Sequence, residues 1–108
     1  MKITTSDKYT LFLAETDFDT FFDEVSKVLA KYKNRNIILD FSKIDTTKAQ
    51  IKSLQGFAET QAGNDKSFAI ILPSFDADAF NEELNVVPTL VEAVDIIDMD
   101  EMTRDLGF

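Results

Sequence analysis

The chain contains no cysteine and no histidine, and these two absences restrict its chemistry. Without cysteine it can form neither disulfides nor thiolate metal sites. Without histidine it lacks the commonest metal ligand and the usual general base near neutral pH. Zinc hydrolases, serine–histidine triads and histidine phosphotransfer are therefore excluded within this chain. We expect no catalytic residue, no bound metal and no cofactor.

Glycine is scarce, with three residues at Gly56, Gly63 and Gly107. They are too scattered to form the glycine-rich loops that bind phosphates or dinucleotides. Long hydrophobic runs are also missing, since no stretch approaches the ~20 apolar residues of a transmembrane helix. The opening MKITTSDKY has no hydrophobic region of the kind found in signal peptides. We expect a soluble, cytoplasmic protein that does not contact membranes.

Length and charge define a single acidic domain. A chain of 108 residues with 44% hydrophobic residues and ten phenylalanines can bury its own core, so we expect one domain over residues 1–108. Residues 1–74 hold ten acids and ten bases, whereas residues 75–108 hold ten acids and one base, so the net charge of −9 lies in the last third. Such a surface repels a phosphate backbone, and nucleic-acid binding is not expected. The acidic third is either a solvated helix face or a docking surface for a basic partner.

The first part of the chain changes from strand-like to helical periodicity. KITTSDKYTLFLAE contains two short β-like runs around Ser6-Asp7-Lys8 and predicts a hairpin. Helical spacing then predicts a helix over 17–33, and Thr16 with Asp19 resembles a capping box. The apolar stripe predicted for the core consists of Phe18, Phe21, Phe22, Val25, Val28, Leu29 and Tyr32.

The rest of the chain alternates buried strands with helices. NIILDF and SFAIIL are continuous apolar runs typical of strands covered by helices, and NVVP is a short strand that Pro88 ends or places at an edge. Helices are predicted over 47–62, where Gly63-Asn64 is a stop signal, and over DADAFNEEL. The capping box Thr89-x-x-Glu92 begins a last helical region, which is one helix or two because Asp98 could cap a second.

This order, ββαβαβαβα, predicts an α/β domain with a mixed sheet of about five strands and about four helices. The hairpin supplies an antiparallel pair, and the strands joined by helices are expected to be parallel.

The stretch DFSKIDTTKAQ carries the candidate site, because it connects a strand to a helix. Asp40 and Asp45 could hold Mg²⁺ through oxygen ligands, or Asp40 could accept backbone hydrogen bonds while Asp45 caps the helix. Thr46 and Thr47 are suitable caps, and an exposed hydroxyl there could also receive a phosphate. The partner-binding or phosphorylation candidates are Asp45, Thr46, Thr47 and Lys48, and Asp40 is the candidate for a ligand crevice.

The chain resembles the STAS domain, the fold of bacterial anti-sigma-factor antagonists and of the cytoplasmic tails of sulphate transporters. The resemblance rests on the element order, on IILDFSKI, on DTTK, which is similar to the family's Asp-Ser-Ser-Gly, and on VVPTLVEAVDII. It implies a non-enzymatic, regulatory protein-interaction domain with a protein partner, either of kinase type or basic. By the same match, Thr47 corresponds to the serine presented to a partner kinase. The chain has a shorter loop before this motif, and Lys48 replaces the glycine.

A second resemblance is to short bacterial proteins that sometimes carry a ribonuclease Z label, through residues 85–98 and 104–108. True ribonuclease Z is a metallo-hydrolase with a histidine–aspartate metal motif, which a chain without histidine cannot form. The alternatives to a protein-interaction domain are a small-molecule or nucleotide sensor at the strand-end crevice and a Mg²⁺-dependent enzyme at Asp40 and Asp45.

Overall fold

A computed structural model of the chain describes residues 1–74, 80 and 82–107. Its five strands form one sheet whose spatial order equals their order along the chain. The strands are β1 Lys2–Thr5, β2 Tyr9–Leu13, β3 Asn36–Asp40, β4 Phe68–Ile71 and β5 Val86–Val87. β1 pairs antiparallel with β2, and the other neighbours are parallel. The predicted mixed sheet of an α/β domain, including its opening hairpin, is confirmed.

The helices in the described ranges are α1 Phe18–Val28, α2 Lys48–Lys52, α3 Gln55–Gly63 and α4 Leu90–Asp105. The helix predicted over 17–33 is therefore shorter, because a 3-10 turn over Leu29–Tyr32 follows α1. The cap was also predicted wrongly. Asp17 is the N-cap, and its Oδ1 accepts the N–H of Thr20 at 2.7 Å, so Thr16 and Asp19 do not form the capping box. This hydrogen bond lowers the pKa of Asp17, because it favours the charged carboxylate.

The helix predicted over 47–62 is divided into α2 and α3. The N–H of Leu54 donates to the carbonyl of Ile51 at 3.1 Å, and the N–H of Phe57 donates to the carbonyl of Leu54 at 3.0 Å. This three-residue spacing is that of a tight 3-10 turn, which separates the two helices. Ile51, Leu54 and Ala58 are buried, and Phe57 is half-buried. The break therefore changes the path of the helix without changing the face that it buries.

The last third contains a single long helix. Thr89 caps α4 as predicted, because its Oγ1 accepts the N–H of Glu92 at 3.3 Å. The reciprocal half of the capping box differs, since the Glu92 carboxylate accepts the Thr89 hydroxyl at 3.4 Å and not the Thr89 backbone N–H. Asp98 lies within α4 and does not cap a second helix. Nζ of Lys8 donates to Oδ1 of Asp98 at 2.8 Å, and this hydrogen-bonded ion pair raises the pKa of Lys8. The helix predicted for DADAFNEEL lies mostly outside the described residues, and its described end, Glu82–Leu84, is a 3-10 turn. β5 is an edge strand that ends before Pro88, as predicted.

The sheet is covered on both faces, which explains its continuous apolar strands. Alternate residues of each strand point to opposite sides, so β3 sends Ile37 and Leu39 to one core and Ile38 to the other. The larger core lies beneath α1, α2 and α3, and the smaller one lies beneath α4. No helix in the described part of the chain has the length and apolar composition required to cross a membrane.

Candidate functional site at the start of α2

The candidate site lies at the carboxyl edge of the parallel strands, where β3 and β4 end. A cleft of about 300 Å³ opens there. It is lined by Phe41, Ser42, Ile44, Asp45, Thr46, Leu72, Pro73 and Ser74. In open α/β sheets this edge is the usual place for ligands and partners. Asp45 and Thr46 therefore lie on the wall of a cleft at the strand ends, whereas Asp40, the predicted crevice residue, is not part of that wall.

The start of α2 is fixed by a reciprocal pair of hydrogen bonds. The backbone N–H of Gln50 donates to Oγ1 of Thr47 at 3.1 Å, and the backbone N–H of Thr47 donates to Oε1 of Gln50 at 2.9 Å. This is a capping box, in which two N–H groups without helical partners are satisfied at once. Thr47 is thus the cap, and the alternative that Asp45 caps the helix is wrong.

The two threonines differ in their surroundings. Thr47 is exposed, and its oxygen accepts the capping hydrogen bond. Thr46 is half-buried, and its Oγ1 is buried without a hydrogen-bond partner among the described residues. A buried hydroxyl without a partner is costly, since it has lost its water. Thr47 therefore presents an accessible hydroxyl, whereas Thr46 directs one into the protein beside the cleft.

Charged side chains border the threonines on each side. Asp45 precedes them and Lys48 follows them, and both are exposed. In the described structure neither side chain takes part in an ion pair. The start of α2 thus offers a carboxylate, a hydroxyl and an ammonium group in four consecutive positions. Such groups can recognise complementary charge on a partner without bond making or breaking.

Asp40 is oriented by its own loop and does not line the cleft. Its Oδ1 accepts the N–H of Ser42 at 2.8 Å, which confirms the alternative in which Asp40 accepts a backbone hydrogen bond. Within the described ranges, no group of three or more acidic side chains is placed to hold a metal ion. Asp45 thus contributes to the wall of the cleft, whereas Asp40 does not.

Several residues of the cleft were not expected from the sequence. Ser42 and Ser74 follow β3 and β4, and Leu72 with Pro73 forms part of the wall. A search for polar residues just after neighbouring parallel strands would have identified the two serines. Ile44 and Leu72 carry no such signal, because an apolar residue in a loop is indistinguishable in sequence from one that packs against the core.

A larger cleft of about 420 Å³ opens at the opposite edge of the sheet, between α3 and α4. Its polar groups bind one another. Ser67 donates to Asp100 at 2.9 Å, and Arg104 donates to the oxygen of Ser67 at 3.1 Å. Asn85, in a left-handed conformation with φ 49°, donates to the carbonyl of Phe68 at 2.8 Å. These hydrogen bonds connect the end of α4 and the turn before β5 to the start of β4. The polar groups of this cleft therefore have a structural role.

Compared with models of protein families, with curated proteins and with solved structures, the chain shows no match.

Proposed function

We propose that the chain is a non-enzymatic, regulatory STAS-like domain that binds a protein partner through the start of α2. The contact surface consists of Asp45, Thr46, Thr47 and Lys48. One observation carries the proposal: a capping box fixes the backbone at Thr47 while the side chains of Asp45, Thr47 and Lys48 remain exposed. A surface held in one conformation binds a partner with little loss of conformational entropy.

The proposal rests on this surface and not on the fold class. Mixed α/β sheets host many functions, so the architecture alone does not distinguish a regulator from an enzyme. The surface combines opposite charges on either side of a hydroxyl, which favours recognition by charge and shape. Neutralising or inverting one of these charges should therefore weaken binding without unfolding the domain.

If the partner is of kinase type, the residue that accepts the phosphoryl group must have an accessible hydroxyl. Thr47 is exposed, whereas the oxygen of Thr46 is buried. We therefore assign Thr47 as the residue that such a partner would phosphorylate. A phosphate adds about −1.5 to −2 charges near neutral pH, so it would make a surface on which Asp45 and Lys48 balance net negative. Phosphorylation would thus act as a switch on partner binding.

The cleft supports a second candidate function, the binding of a small molecule at the strand ends. Its volume of about 300 Å³ lies at the lower end of the range for ligand pockets. The oxygen of Thr46 has no hydrogen-bond partner among the described residues, so it is available to a bound molecule. Native mass spectrometry of the protein purified from its own cells tests this candidate directly. A bound mass that is lost in Thr46→Val would favour the sensor over the interaction domain.

The experiment for the leading proposal compares two charge reversals of equal size. Lys48→Glu alters the start of α2, and Lys31→Glu alters an exposed lysine in the 3-10 turn after α1. Affinity purification from the native cell, followed by mass spectrometry, identifies the proteins that bind the unaltered domain. The proposal predicts that a specific partner is retained by Lys31→Glu and lost by Lys48→Glu. Equal retention by both variants contradicts it.

A further inference from the structure

α4 is apolar on two opposite sides. Its inner side buries Ala93 and Ile97 against the sheet. Its outer side exposes four large apolar residues, which are 71%, 66%, 63% and 66% exposed in chain order. These residues, here named the α4 stripe, are Val91, Met99, Met102 and Leu106. At about 100° per residue they fall within one quarter of the helix circumference. Solvated helices normally carry polar residues on that side, so the stripe is an unpartnered face.

Carboxylates that have no partner in the described structure lie along the same side. Asp95 is one turn after Val91 and one turn before Met99, and Asp105 is beside Leu106. Both are exposed, and neither forms a hydrogen bond or ion pair within the described ranges.

Three other acids of α4 already have partners in the described structure. Asp98 pairs with Lys8 at 2.8 Å, Asp100 accepts a hydrogen bond from Ser67 at 2.9 Å, and Glu101 accepts one from Asn36 at 2.6 Å. The negative charge that is available for a partner is therefore concentrated around the α4 stripe.

The α4 stripe and the carboxylates beside it together restrict which kind of molecule can cover this face. A second copy of the chain would bring an equally acidic stripe into contact, and like charges oppose that pairing. Anionic lipid and nucleic acid are repelled for the same reason. A positively charged segment with an apolar face satisfies both features. Its apolar residues would cover the stripe while its lysines or arginines approach Asp95 and Asp105.

We propose that the outer face of α4 is a docking surface for a basic amphipathic helix of a partner protein. From Val91 to Leu106 the stripe extends along the helix for roughly 22 Å, about four turns. Met99 and Met102 occupy its middle, and unbranched methionine side chains adapt to differently shaped apolar surfaces. This surface lies on the opposite face of the sheet from α2, so the inference does not depend on the proposed function.

The test uses labelled synthetic peptides of sixteen residues, the length of α4, in fluorescence anisotropy. One peptide has leucines on one helical face and lysines elsewhere. A second has the same composition in scrambled order, and a third has glutamate in place of lysine. The inference predicts binding of the first peptide only, and affinity that falls as salt is raised, because exposed charges are screened. Equal binding of the scrambled peptide would show that net charge alone is responsible and would overturn the inference.

Substitutions locate the binding surface. Met99→Gln with Met102→Gln removes apolar area while keeping side chains that favour helix. We expect at least a tenfold loss of affinity, which corresponds to about 1.4 kcal/mol. Ile3→Thr, which alters a 40% exposed residue on β1, is the matched control and should bind the peptide unchanged. Asp95→Asn with Asp105→Asn should weaken binding and reduce its salt dependence.

Three results would contradict the inference. Peptide affinity that is unchanged in the double methionine variant would exclude the α4 stripe. A dimer of the unaltered protein that is lost in that variant, without peptide binding, would show that a second copy covers the face. Binding to anionic lipid vesicles in preference to the lysine peptide would assign the face to a membrane. Lys48→Glu separates the two surfaces, because it should leave peptide binding intact whether or not the proposed function holds.

Discussion

Removing the cap of α2 tests how the candidate site is built. α2 has only five residues, far fewer than an isolated helix needs in water. Thr47→Ala deletes the oxygen that accepts the Gln50 N–H at 3.1 Å. Loss of an N-cap costs about 0.5–2 kcal/mol, and the shortness of α2 favours the upper half of this range. Against a typical total of 5–15 kcal/mol, the loss should be measurable.

Urea unfolding followed by circular dichroism is the assay, since a lower midpoint at constant slope reports lost stability. Gln50→Ala removes the reciprocal hydrogen bond from Thr47 at 2.9 Å, so it should also destabilise the fold. Thr46→Val is the control. Because the oxygen of Thr46 is buried without a hydrogen-bond partner in the described part of the chain, this variant should be neutral or slightly more stable. Wild-type stability of Thr47→Ala, or destabilisation by Thr46→Val but not Thr47→Ala, would refute this account of the cap.

Further predictions concern the core, the first cap and the contact of α4 with the sheet. Phe21→Ala should cost about 3–5 kcal/mol in thermal unfolding, because Phe21 is buried and its ring meets that of Phe41 edge-on at 5.2 Å; half-buried Phe22→Ala should cost less. An equal loss of stability in Phe21→Ala and Phe22→Ala would show that the buried face of α1 is assigned wrongly. The hydrogen bond to the N–H of Thr20 lowers the pKa of Asp17 from its usual 3.8. The stability that the charged cap contributes is therefore present above pH 3.8 and is lost as the pH falls through the pKa of the folded state. Asp17→Asn should reduce this acid sensitivity of the melting midpoint, and an unchanged pH profile would contradict the assignment. Asn36→Ala should cost at least about 1–3 kcal/mol in urea unfolding, because its amide N–H groups donate to Glu101 of α4 and to the carbonyl of Lys8, and its Oδ1 accepts the N–H of Ser67. No loss would mean that these groups find other partners.

Periodicity in the sequence was sufficient to predict the architecture. Strands such as NIILDF are recognisable because they are covered on both faces, and the stripe of α1 is recognisable because one side of it is apolar. The break between α2 and α3 was missed, since Ser53 is an ordinary helix residue and the helical spacing of Ile51, Leu54 and Ala58 continues through the turn. Only the backbone hydrogen bonds distinguish the two helices from one.

The sequence indicated a strand-to-helix junction at residues 40–50 but not which of its residues line the cleft. A threonine at the junction indicated a cap, and the capping-box spacing Thr47-x-x-Gln50 distinguishes Thr47 from Thr46, but the burial of the Thr46 oxygen is visible only in the structure. The exposed side of α4 was hidden for a different reason. Acidic residues are spaced around the whole circumference of α4, so the sequence alone does not show which apolar side remains uncovered.

The most direct test of the proposed contact surface is Thr47→Asp, measured for stability and for binding in parallel. Aspartate keeps an oxygen at the N-cap, so thermal unfolding should match that of the wild type. The added negative charge changes the surface beside Asp45 and Lys48, so recovery of the native partner in a pull-down should fall. We predict unchanged stability together with lost binding. Partner recovery equal to that of the wild type, at equal stability, would leave this stretch with a capping role alone and would contradict the proposed function.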